Sequence, residues 1–271
     1  GSRVQARTAL VWDYEAWWAL ELDAHPSELT YMDRMRTLHA ALWRRGITTD
    51  VVGSTDDLSG YDLVLVPTLY LVSDEGAANL ASTAERGATV AITYFSGIVD
   101  PHDHVRLGGY PGAFRDLLGV RVDEFFPLLD GESVVLDDGT SGDVWTERVE
   151  LAGAVPVRTF ADGPMAGRPA VTRRQVGAGS AWYVATRQDE AGTAALVDAL
   201  IADAGVTPPL DVPAGVEAVR RIGDEASFVV VINHTDEVVA IEANGTELLT
   251  GAAVEPGFKV AAGGCAAIQE R

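Results

Sequence analysis

In the first half of the chain the apolar residues fall into two alternating kinds of segment. Short continuous apolar runs read as strands buried on both faces, and apolar positions recurring every three or four residues read as helices. Thr8–Trp12, Val51-Val52, Asp62–Val66 (stopped by Pro67) and Ala88–Tyr94 belong to the first kind. Between them, Tyr31, Met35, Leu38 and Leu42 mark one helical face, which Thr30 and Asp33 open as a capping box and Gly46 ends. Ser73, followed by Asp74 and Glu75, opens a second helix that Gly87 closes, and Pro111–Leu118 reads as a short third one ending at Gly119. Strands buried on both faces and separated by helices predict an α/β region with a doubly wound, mainly parallel sheet.

From Val120 to Thr186 the pattern shortens. Ser133–Leu136, Val155–Phe160, Pro169–Val176 and Ala181–Ala185 read as hairpins or an antiparallel extension, with Gly177-Ala178-Gly179 as a hairpin turn. A helix returns at Asp189–Ala204, where Leu196, Leu200 and Ala204 share a face, and Gly205 with Pro208-Pro209 ends it. The stretch 206–215 carries three prolines and a glycine and is the expected boundary. The expected domains are therefore an α/β domain over 1–210 and a small antiparallel all-β domain over 211–271. In the latter, Val216–Ile222, Ser227–Asn233 and Val238–Ala243 read as strands, and Asn244-Gly245 reads as a type I′ hairpin turn.

Composition narrows the function classes. The apolar share of 47% is that of a folded chain, and no apolar run approaches the length of a membrane-spanning helix. A net charge of −20, with Lys259 as the single lysine, argues against nucleic acid or an anionic membrane surface as partner. The single cysteine, Cys265, lies in the run Gly263–Ile268, where a buried, inert thiol is expected; it suits a cytoplasmic setting, as do the mostly polar residues 1–7.

Candidate chemistry is sparse. Asp100, His102, Asp103 and His104 are ligand-type residues on one loop, but His25, His39 and His234 are isolated, so a hydrogen-bonded turn is expected and not a metal site. Ser96 follows an apolar strand, yet the positions where a nucleophile elbow needs glycine hold Tyr94 and Ile98, so a serine capping a strand-end turn is the expectation. Glu15, Glu21 and Asp23 lie near a possible sheet end but read as a solvated face. The six tryptophans all precede the proline-rich boundary, which makes the tail a poor sugar-binding module. Trp17 and Trp18 are adjacent and bulky; they cannot easily both enter one core, so at least one is expected to face a crevice or a protein partner.

Two stretches carry a family resemblance. Val11-Trp-Asp-Tyr-Glu-Ala-Trp-Trp-Ala-Leu-Glu21 and Thr93-Tyr-Phe-Ser-Gly-Ile-Val-Asp-Pro-His-Asp-His-Val-Arg-Leu-Gly-Gly-Tyr-Pro-Gly112, with Asp62–Tyr70 between them, resemble the post-barrel region of glycoside hydrolase family 42 β-galactosidases. Residues to about 210 are similar to the trimerisation domain, and about 212–271 to the small C-terminal β-domain. The resemblance implies a homotrimeric parent whose two catalytic glutamates sit on an N-terminal barrel and cleave terminal β-D-galactosides with retention. Such a barrel needs ~250 residues, and none precedes Thr8, so no catalytic, cofactor-binding or metal residue is expected here, and a galactoside would be met only through the barrel. It also implies a flavodoxin-like fold similar to class I glutamine amidotransferases, in which Phe95-Ser96 stands where those enzymes carry a nucleophilic cysteine. The competing reading is a stand-alone α/β hydrolase or amidotransferase-like enzyme that uses Ser96 with His102 or His104.

Overall fold

A computed structural model describes residues 1–22 and 27–270. In chain order, strands β1 (Ser2–Val4) and β2 (Thr8–Val11) lead into helices α1 (Tyr14–Leu20) and α2 (Tyr31–Trp43). Next come β3 (Thr49–Val52), β4 (Leu63–Val66), α3 (Asp74–Arg86), β5 (Thr89–Thr93) and the short α4 (Arg115–Leu118). Eight strands follow: β6 (Val120–Pro127), β7 (Ser133–Val135), β8 (Ser141–Asp143), β9 (Trp145–Leu151), β10 (Val155–Thr159), β11 (Pro169–Val176), β12 (Gly179–Val184) and β13 (Arg187–Gln188). After α5 (Glu190–Ala204) the chain is all strand: β14 (Val216–Gly223), β15 (Ser227–Asn233), β16 (Val239–Ile241), β17 (Gly245–Glu247), β18 (Ala253–Val254), β19 (Phe258–Val260) and β20 (Cys265–Glu270).

Local chemistry explains the helix ends. The Ser73 hydroxyl accepts from the Gly76 amide at 3.0 Å to start α3, and Gly87 closes it. Asp189 does the same for α5 through the Gly192 amide at 2.7 Å, and Gly205 ends that helix in the left-handed region. The Thr30–Asp33 pair differs from the expected capping box: the Thr30 hydroxyl donates to the Asp33 carboxylate at 3.1 Å, and the α2 amide of Tyr31 is taken by Glu21 Oε1 at 3.0 Å.

Residues 9–38 and 51–205 form one compact unit. Its seven-stranded sheet has the order β10-β11-β12-β5-β4-β2-β3. β4 and β12 flank β5 in parallel register, and Leu63, Val64, Val66, Val90 and Ile92 on these strands are fully buried. The mainly parallel, flavodoxin-like, doubly wound α/β architecture expected from the first half is overturned. Among the described residues strand outweighs helix, 38% to 20%. β10, β11 and β12 run antiparallel, joined in the last case across Gly177-Ala178, and β6–β9 and β7–β8–β13 make separate antiparallel sheets. The physical cause is loop length: parallel neighbours need a crossover of about a dozen residues or more, and the turns between Val120 and Gln188 are too short for one.

Residues 1–8, 39–50 and 206–271 form the other unit. Its six-stranded sheet has the order β1-β14-β15-β20-β17-β18, and its core gathers Val216, Val229, Val231, Ile241, Val260 and Ile268. β1 pairs antiparallel with β14, Ser2 opposite Gly223 and Val4 opposite Arg221. The Asn244-Gly245 hairpin does not form. Gly245 opens β17, which pairs with β18 and β20, whereas β16 pairs with β19. Its requirement is steric: a Cβ there would lie 2.1 Å from the Gln269 carbonyl oxygen. Cys265 is exposed, not buried, because alternation along β20 turns Ala266 and Ile268 inward. Among the described residues, no helix is long and apolar enough to cross a membrane.

Candidate functional site

The tandem tryptophans stand on a helix the sequence pattern did not reveal. β2 ends at Val11, the Trp12 amide donates to the Val52 carbonyl at 2.8 Å, and Asp13 Oδ1 accepts from the Ala16 amide at 2.8 Å to cap α1. Ala16 and Leu20 point inward, which turns Tyr14 and Trp18, four residues apart, outward. Their ring centroids lie 6.0 Å apart, and Tyr14, Trp18 and Leu22 are 58%, 63% and 61% exposed. Trp17 is half-buried and leans on Trp12 at 5.3 Å; Trp12 also meets Tyr14 and Tyr31, each at 5.2 Å. The Tyr31 hydroxyl accepts from the Asp13 amide at 3.2 Å and points at the Val11 carbonyl, 3.5 Å away; burial pushes its phenol far up, so it stays protonated. The result is an aromatic ridge with a buried foot and an exposed crest.

The neighbouring carboxylates do not assemble into acid/base machinery. Glu21 is spent on the Tyr31 amide, and Glu15 is exposed on the first turn of α1. Asp23 and His25 lie outside the described residues.

The Ser96 reading fails on geometry. Ser96 is fully buried, its hydroxyl donating to the Thr93 carbonyl at 2.7 Å and accepting from the Leu69 amide at 2.9 Å. His102 and His104 are exposed on their loop, so no base reaches that hydroxyl. The loop is a hydrogen-bonded turn: Asp100 Oδ1 accepts from the amides of His102 (2.8 Å) and His104 (3.0 Å), and the His104 amide, with that of His102, holds its carboxyl below the usual range. No group of metal-binding side chains occurs among the described residues.

Buried charged residues escaped the sequence reading, Glu147 and Arg34 among them. Glu147, on β9, is 0% exposed. The Tyr183 hydroxyl, the Trp145 indole at 2.9 Å and the Phe95 amide all donate to it, yet burial outweighs them and pushes its carboxyl up to about 7. Phe95 itself adopts a left-handed backbone, φ 57, at the end of β5. The second is Arg34, buried on α2. The signal for both was register: Glu147 alternates with the buried Trp145 and Val149, and Arg34 is three residues after Tyr31 and four before Leu38.

Residues 6–207 match the family profile of the β-galactosidase trimerisation domain, and 215–270 that of the β-galactosidase C-terminal domain. The chain belongs to the family 42 β-galactosidases. It corresponds to their non-catalytic C-terminal part. A β-galactosidase from Arthrobacter sp. is 53% identical over 253 residues, which are 93% of this chain and 36% of that protein. β-Galactosidase LacZ from Heyndrickxia coagulans is 40% identical over 93% of this chain and 39% of its own length. The crystal structure of β-galactosidase from Bacillus circulans sp. alkalophilus superposes over 100% of this chain and 42% of its own, with a TM-score of 0.93 at 31% identity. The chain thus spans well under half the length of the relatives it matches. Most of this family 42 chain, residues 6–207, matches a domain described as one of trimerisation.

Proposed function

We propose that this chain is the assembly part of a retaining β-galactosidase. Three copies associate through it, and glutamates on a barrel outside this chain hydrolyse terminal non-reducing β-D-galactose residues. A galactoside then meets the enzyme only through that barrel. The reading rests on one observation: the stretch matching the trimerisation domain carries an exposed aromatic ridge, with Trp18 on its crest and Trp17 behind it. Exposed tryptophan and tyrosine that gain a dry pocket on association are the side chains that carry most interface energy. Supporting a division of labour at about residue 210, the two family matches abut across 208–214. The exposed thiol of Cys265 supports a reducing, cytoplasmic setting, and the net charge of −20 supports a partner that is protein and not nucleic acid.

The test is Trp17→Ala with Trp18→Ala in the full-length enzyme. Light scattering is expected to show the mass falling towards monomer, with hydrolysis of a chromogenic β-galactoside falling alongside. An unchanged mass with a lowered melting temperature assigns the pair to the core and defeats the proposal.

A further inference from the structure

Arg34 is 5% exposed, and helix geometry forces it inward beside Tyr31, Met35 and Leu38. Its Nε is fully buried and has no hydrogen-bond partner among the described residues. Other, half-buried arginines are matched, and Arg106, whose Nε is also buried without a partner, still pairs with Asp74 at 2.6 Å. Arg187 makes a two-pronged pair with Asp143 at 2.5 and 2.6 Å, and Arg173 pairs with Asp203 at 2.8 Å. Arginine cannot relieve its burial by losing a proton, and a buried, unpaired cation is among the costliest features a fold can carry. Such a group calls for an anion.

Its neighbourhood includes strained backbone at the ends of parallel strands. The first turn of α2 lies against the end of β2, through the Tyr31 hydroxyl and the Val11 carbonyl. Arg34 and the Arg187–Asp143 pair both act electrostatically on the buried Tyr94 hydroxyl, which sits just past β5 beside Thr68. Thr68 and Phe95, at the carboxyl ends of the adjacent parallel strands β4 and β5, both hold left-handed backbones, φ 43 and 57. Strain of that kind in non-glycine residues collects at functional sites, and the carboxyl ends of parallel strands are where sheet proteins bind ligands.

We infer that Arg34 binds a carboxylate, delivered either by a small free organic acid or by an acidic side chain of a second copy of this chain. The planar fork of the guanidinium fits a carboxylate's two oxygens. The free-acid source is independent of the assembly role proposed above; the second-copy source rests on it.

The experiment uses the whole chain with sodium malonate as probe, against sodium chloride at matched ionic strength, for the native protein and for Arg34→Met and Arg34→Gln. A free acid is indicated if malonate raises the native melting temperature saturably, by roughly 5 °C or more at a hundred times its dissociation constant, and both variants lose the response with their mass unchanged. A second copy's carboxylate is indicated if the variants weaken self-association at least tenfold by light scattering and malonate competes, lowering the native mass. Equal malonate responses and equal masses for native protein and variants overturn the proposal. If neither variant folds, a native chain whose melting temperature and mass both ignore malonate overturns it as well.

Discussion

Replacing Glu147 by glutamine isolates the energetic cost of a buried carboxyl. In the native fold the carboxyl titrates near 7, whereas in the unfolded chain it titrates at 4.5. Between those values the folded state holds a proton that the unfolded state has released, so this group's contribution to stability falls as pH rises through the window and is flat above it. The slope is about 1.4 kcal/mol per pH unit and the full loss is on the order of 3 kcal/mol. The introduced amide is a neutral isostere: its carbonyl would keep the Trp145 and Phe95 donors, and the Tyr183 hydroxyl can rotate to accept from its NH2 group. Denaturant unfolding of both proteins from about pH 5 to about pH 8 is the assay. The variant is expected to gain on the native protein steadily up to about pH 7 and to level off above it, by roughly 3 kcal/mol in total, with other titrating groups cancelling in the difference. A difference that stays constant with pH would show that the carboxyl is ionised throughout and that its three donors offset burial, refuting the reasoning.

Three further outcomes follow from the same structure. Gly245→Ala drives a Cβ to within 2.1 Å of the Gln269 oxygen and 2.9 Å of Ile268 Cγ2, so a loss on the order of 3 kcal/mol is expected by chemical denaturation. Asp203 is partly buried, which raises its carboxyl, but hydrogen bonds from Arg173, Ser180 and Trp182 outweigh that and hold it below the usual value. Its stabilisation is therefore present at neutral pH and lost as pH falls below about 4, so Asp203→Asn is expected to melt lower than the native protein at pH 7 and to converge with it in acid. Asp13→Ala removes the cap of α1 and is expected to cost about 1 kcal/mol, seen as a melting-temperature drop of roughly 2–4 °C.

What the sequence disclosed depended on the length and period of each segment. Helices α2, α3 and α5 run for three or more turns, and the capping residues of α3 and α5 stand in the expected places, so periodicity and caps identified them. Helix α1 has 7 residues, too few to show a period beside an aromatic-rich stretch. The sheet class was misjudged by letting the β/α rhythm of the first 118 residues define the whole domain, although the short segments after Val120 already read as hairpins or an antiparallel extension. Asn244-Gly245 was misread because a glycine demanded by a neighbouring backbone looks, in one dimension, like a glycine demanded by a turn. Cys265 was misplaced by a single register step, since the run containing it is apolar throughout and only its alternation sorts inside from outside. Glu147 and Arg34 were passed over because a charge is read as solvated until its neighbours at the same period are seen to be buried. The adjacent indoles Trp17 and Trp18 were legible as divergent from their bulk alone, and α1 realises that divergence because consecutive residues on a helix point about 100° apart.

The pairing of Ser2–Val4 with β14 has a practical consequence for dissection. The Arg221 side chain donates to the Ser2 carbonyl at 2.7 Å, and the Gln5 amide to the Arg220 carbonyl at 2.9 Å, so residues 2–5 are stitched to the tail's own ladder. Severing the connection at 206–215 and producing the tail by itself would strip that stitch and leave one border of β14 with bare amides and carbonyls, open to fibre-like or swapped association. A soluble tail fragment therefore has to carry residues 1–5 along with it, supplied in trans or fused ahead of Val216.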